Sequence, residues 1–77
     1  MYNGRMNFVL NLIMCSGLTN TCLPPYKYPD LFVDGYSCMI AGNYESILKL
    51  EEIGFEDVNK NKIYIKFMCT PKQDKIT

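Results

Sequence analysis

The sequence contains no histidine and no tryptophan. Without histidine the commonest general acid–base group is absent, and so is the usual activator of a serine or cysteine nucleophile. Any reaction would have to rest on carboxylates, tyrosines, lysines or cysteines, so an enzyme is not expected. A surplus of charge of either sign is missing too: eight basic residues balance eight acidic ones. Neutralising a phosphate backbone requires a basic surface, and nucleic acid is therefore not an expected partner. The lysines from Lys49 onward interleave with Glu51, Glu52, Glu56 and Asp57, which reads as solvated surface. No stretch approaches the roughly 20 apolar residues of a membrane-crossing helix. The apolar run near the start, Met6 to Met14, is nine residues long and is interrupted by Asn7 and Asn11. A large residue, Met14, precedes Cys15, where a signal-peptide or lipoprotein cleavage site would need a small one. No membrane is expected as a partner.

What is present describes a small folded domain. Apolar residues make up 48% of the 77 residues and charged ones 21%, a globular balance. One domain is expected over residues 1–77, and chains below about 80 residues usually need disulfides, a metal or oligomerisation to stay folded. Phe8, Leu10, Leu12 and Met14 alternate with Asn7, Val9, Asn11 and Ile13, which predicts a strand over about residues 6–14. The segment 15–33 is rich in Ser, Gly, Thr, Asn and Pro and reads as a long cysteine-containing loop. From there Phe32, Tyr36, Met39, Ile40, Tyr44, Ile47, Leu48 and Leu50 recur at helical steps, predicting a long helix over about 34–53 with this stripe turned to the core. Asp34 is the expected N-cap, Gly54 the expected left-handed stop, and Gly42 the mark of a close backbone approach. A polar turn centred on residues 59–61 leads to a second strand, about 62–69, where Ile63, Ile65, Phe67 and Cys69 share one face. Residues 70–77 read as a frayed tail.

The expected fold class is thus α+β: a minimal β-α-β unit of two parallel strands joined by one long crossover helix. Parallel strands would gather Cys15, Cys22, Cys38 and Cys69 at one end of the domain, whereas antiparallel strands would carry Cys69 away. Two disulfides are the economical reading, and four cysteines allow three connectivities. Cys15–Cys69 with Cys22–Cys38 is the expected pairing, worth about 4 and about 3 kcal/mol in the chain-entropy model. Strand parity stands against it, since Cys15 lies on the face opposite Leu10 and Leu12 while Cys69 shares a face with Ile63 and Ile65. Cys15–Cys38 with Cys22–Cys69 is the fallback. Free buried thiols are a competing reading. A metal site is not expected, nor any cofactor: structural zinc and iron–sulfur ligands come in close pairs, and the gaps here are six, fifteen and thirty residues.

Pro24, Pro25, Tyr26, Tyr28 and Tyr36 form a rigid aromatic patch suited to partner binding, because little entropy is lost on ordering it; alternatively the tyrosines only cover the end of the core. Two strands and one helix bury little and leave sheet edges open. Self-association through a sheet edge or the outer sheet face is therefore expected.

The segments Met14–Ser16, Cys22–Pro25, Tyr36–Met39, Glu51–Gly54 and Val58–Lys60 together resemble small uncharacterised four-cysteine proteins predicted from marine bacteriophage genomes. The resemblance spans Met6 to Cys69 and implies a viral source but no activity. Phage genes of this size tend to encode minor virion components or host-directed proteins. Two readings follow. One is a disulfide-stapled, self-associating structural or interaction module on the virion or in another oxidising setting, contacting virion or host proteins. The other is a host-directed cytoplasmic inhibitor, or small thiol or metal factor, with reduced cysteines.

Overall fold

The computed structural model describes residues 7–72 and shows an α+β domain with a single antiparallel sheet, one face of which carries a helix. Strand β1 (Asn7–Ser16) lies in the centre. Along one side runs β4 (Ile63–Lys72), paired to β1 over ten consecutive positions from Asn7↔Lys72 to Ser16↔Ile63. Along the other side the chain returns from β1 through β2 (Thr21–Cys22) and β3 (Tyr26–Lys27), both antiparallel to β1. The expected parallel pair is therefore corrected: β1 and β4 run in opposite directions, and the sheet has four strands rather than two. Alternation fixes which side chains share a face but carries no information about strand direction.

The segment read as a long loop is an interrupted edge strand. Cys22 faces Cys15, Tyr26 faces Leu12, and Phe32 faces Phe8. The paired residue numbers total 37, then 38, then 40, so one extra residue is absorbed between β2 and β3 and two more before Phe32. Those absorbed residues fall where the prolines are: Pro24 and Pro25 in the first gap, Pro29 in the second. Proline has no N–H to give a ladder, which confines it to edges and bulges. Between the gaps the pairing holds, with Leu23 N–H donating to the Met14 carbonyl, Tyr28 N–H to the Leu10 carbonyl, and Phe8 and Phe32 exchanging bonds of 2.7 and 3.0 Å.

Helix α1 (Gly35–Ile53) starts where it was expected to. The Asp34 carboxylate accepts the Ser37 N–H at 2.8 Å, filling one of the vacant donors of the first turn. That bond holds the Asp34 carboxyl below its ordinary value of 3.8. Gly54 ends the helix with φ 102° and ψ 153°, a region open to glycine, rather than in the compact left-handed conformation anticipated. The following polar segment is a second short helix, α2 (Phe55–Asn61), and not a turn; Lys62 closes it in the left-handed conformation, φ 53°. The last strand begins at Ile63 and runs three residues beyond its expected end, so Thr70, Pro71 and Lys72 are strand rather than frayed tail. Residues 73–77, the rest of that tail, and Met6 lie outside the described residues.

The sheet face under α1 is the one predicted from alternation: Phe8, Leu10, Leu12 and Met14 from β1, and Ile63, Ile65, Phe67 and Cys69 from β4. The helix face above it is not. Cys38 and Gly42 are buried, and Ala41, Glu45 and Ser46 are half-buried, while Tyr36, Met39, Ile40, Tyr44, Ile47 and Leu48 are exposed. Small residues let the helix lie close to the sheet: a Cβ at position 42 would come within 2.7 Å of Phe67 Cγ and Cε1. The close approach expected at Gly42 exists, but to an aromatic ring rather than to another backbone.

Candidate functional site

The four cysteines form two disulfides, Cys15–Cys22 and Cys38–Cys69. Neither the expected pairing nor its fallback is formed; the third connectivity is. Antiparallel register explains it. Cys69 stands opposite Leu10, beneath the first turns of α1, where Cys38 points down at it. Cys15 stands five positions along β1, on the other sheet face, where Cys22 faces it across the hairpin with 4.0 Å between Cα atoms. One bridge thus ties helix to sheet and the other closes the hairpin. The sulfurs do not gather at one end, and no cysteine is left free.

Beside α1, on the side of the interrupted edge strand, the sheet is uncovered and forms a groove of about 450 Å³. Leu12, Met14 and Ile65 make its floor, Leu23, Pro24, Tyr26 and Tyr28 its far wall, and Glu45 and Lys49 of α1 the near wall. Pro24, Tyr26 and Tyr28 of the sequence-predicted patch are brought together here. Pro25 is exposed but does not line the groove, and Tyr36 stands apart from it on α1. The Tyr28 hydroxyl points to the Glu45 carboxylate at 3.4 Å, and its ring stacks on Phe32 with 5.8 Å between centroids. The Glu45 charge beside it holds the Tyr28 hydroxyl above its ordinary value of 10.0, with burial and Asp30 adding to the effect. Lys49 turns instead to Glu52, at 3.0 Å. The groove is therefore an apolar, aromatic slot with one acidic acceptor.

A second surface was not read as a site from the sequence. The outward stripe of α1 carries Tyr36, 72% exposed, Tyr44, 58%, and Ile40 and Ile47, both 54%. At its C-terminal end, α1 and α2 meet in a notch of about 310 Å³ lined by Ile47, Leu50, Glu51, Phe55, Val58 and Asn59, with Phe55 81% exposed. The outer sheet face offers Val9, Ile13, Tyr64 and Met68, but it mixes them with Asn11, Lys66 and Thr70. The signal for the helix surface was legible: the apolar stripe and the small-residue stripe Cys38–Ala41–Gly42 lie on different sides of α1, and only one of them can face the sheet.

No helix among the described residues is long and apolar enough to cross a membrane. Comparison with protein-family models, with curated proteins and with solved structures finds no match to this chain.

Proposed function

We propose that this chain is a protein-interaction module, stapled by two disulfides, that acts by self-association in an oxidising environment. The observation that carries the reading is the orientation of α1. The helix spends its small residues on the sheet and turns Tyr36, Ile40, Tyr44 and Ile47 outward. Among the described residues only Leu10, Cys15 and Cys38 are buried hydrophobics, whereas fourteen large apolar side chains are exposed. An exposed apolar patch of that kind marks an interaction surface. Symmetric pairing of copies is the commonest way to cover one. The engagement of all four thiols in disulfides favours an oxidising setting and weighs against the cytoplasmic alternative with reduced or metal-bound cysteines. The resemblance to phage proteins makes the virion the proposed location. The groove lined by Pro24, Tyr26 and Tyr28 then serves a second partner, a virion or host protein.

Sedimentation equilibrium of the oxidised chain tests the reading. A dimer or larger assembly is expected at micromolar concentration; a mass of 8.9 kDa at every concentration contradicts it.

A further inference from the structure

The same helix carries both a projecting aromatic side chain and a recess that fits one. Tyr36 projects from the first turn, while the notch of Ile47, Leu50, Glu51 and Phe55 opens at the other end of the outward stripe. We propose that two copies pair through α1 in antiparallel fashion, with Tyr36 of each inserting into the notch of the other. This rests on the self-association reading above and gives it a geometry.

The register follows from the positions alone. A twofold axis passing between Asn43 and Tyr44 sets Ile40 against the partner's Ile47, and sets Tyr36 against the partner's Glu51. Both apolar pairs and both insertions are then satisfied together, because each contact is repeated by the symmetry. The notch, about 310 Å³ and open to solvent, has room for a phenol ring. Its apolar walls take the ring, and the Glu51 carboxylate accepts the hydroxyl in a charge-assisted bond. A tyrosine seated in a desolvated pocket is a typical energetic centre of an interface.

Charge selects the direction. From Gly35 to Tyr44 the helix has no charged side chain, while over Glu45 to Asn61 five acids, Glu45, Glu51, Glu52, Glu56 and Asp57, outnumber Lys49 and Lys60. Parallel pairing would place Glu51 beside the partner's Glu51. Antiparallel pairing separates the two Glu51 side chains and sets each beside the uncharged first turns of the facing helix, whose N-terminal end Asp34 caps.

Sedimentation of six proteins at matched concentrations decides the matter: wild type, Tyr36→Ala, Tyr36→Phe, Glu51→Gln, the double variant Tyr36→Phe with Glu51→Gln, and Met68→Ser. All three substituted positions are exposed, and near-ultraviolet circular dichroism checks that each variant retains its fold. The wild type is expected to be dimeric. Tyr36→Ala should weaken it by about tenfold or more, Glu51→Gln by about two- to five-fold, and Met68→Ser, on the outer sheet face, should leave it unchanged. Tyr36→Phe should match Glu51→Gln, and combining the two should weaken pairing no further than either alone. A dimer insensitive to Tyr36→Ala, or weakened only by Met68→Ser, overturns the insertion while self-association stands. A dimer tightened by Glu51→Gln overturns the antiparallel direction. A monomeric wild type overturns both.

Discussion

Gly42 is where α1 meets the sheet most closely, and its missing Cβ is a packing requirement. Alanine favours a helix by up to about 1 kcal/mol over glycine. At position 42, however, the new methyl would press on Cγ and Cε1 of Phe67, part of the ring body rather than a flexible tip. Overpacking of that kind costs about 1–3 kcal/mol. Gly42→Ala is therefore expected to destabilise the chain by up to about 2 kcal/mol net, read as a lower urea midpoint; a rise in the midpoint would show that α1 stands further from Phe67. Asp34 acts at the same scale. Its folded-state carboxyl titrates below its unfolded value, so the cap contributes stability above the unfolded value that is lost as pH falls through the folded one. Asp34→Ala should accordingly lower the thermal midpoint at neutral pH, and wild type and variant should converge in strong acid. An equal gap at both ends of that range would remove the carboxylate from the role of cap.

At the scale of elements, the two disulfides do different work. Cys15–Cys22 spans seven residues of a hairpin that its own ladder already aligns. Cys38–Cys69 spans thirty-one and joins elements that share no backbone bonds. In the chain-entropy model the first is worth about 2.5 kcal/mol and the second about 3.7. Replacing Cys38 and Cys69 together by serine should cost clearly more in urea denaturation than replacing Cys15 and Cys22, because each bridge has one buried cysteine and only Cys38–Cys69 closes the longer loop. The reverse order would mean that the hairpin, not the helix attachment, is the weak element. Much of the element content was legible in the sequence: both long strands, the span of α1 and its cap at Asp34 follow from alternation, helical spacing and capping chemistry. Strand direction was not, because side-chain alternation is identical in either direction. Its Ser, Gly, Thr, Asn and Pro made 15–33 read as a loop, since these residues favour turns and break a continuing strand; as an edge strand it needs donors on one side only, and its prolines fall in the gaps. The stripe of α1 was assigned inward because apolar residues usually face the core. Here the core face is made of a cysteine, an alanine and a glycine, whose size rather than hydrophobicity suits them to it. The parity objection to Cys15–Cys69 was sound but led to the wrong fallback: Cys15 and Cys69 lie on opposite faces of the sheet and each bonds on its own side, which excludes Cys15–Cys38 as well.

For the whole molecule, everything turns on which way α1 faces, and Cys38 sets that. Bonded to Cys69, Cys38 points down, and Tyr36, Ile40 and Ile47 point out to a partner. Bonded elsewhere, the helix would rotate or lift, and the outward stripe would lose its meaning as an interface. Trypsin digestion without reduction, followed by mass spectrometry, tests this directly. Cleavage at Arg5 and the lysines puts Cys15 and Cys22 together in Met6–Lys27, Cys38 in Tyr28–Lys49 and Cys69 in Phe67–Lys72. The predicted result is a self-closed Met6–Lys27, two hydrogens light, and a separate species joining Tyr28–Lys49 to Phe67–Lys72. Either of the other two connectivities would join all three peptides into one, and that result would contradict the orientation on which the interface rests.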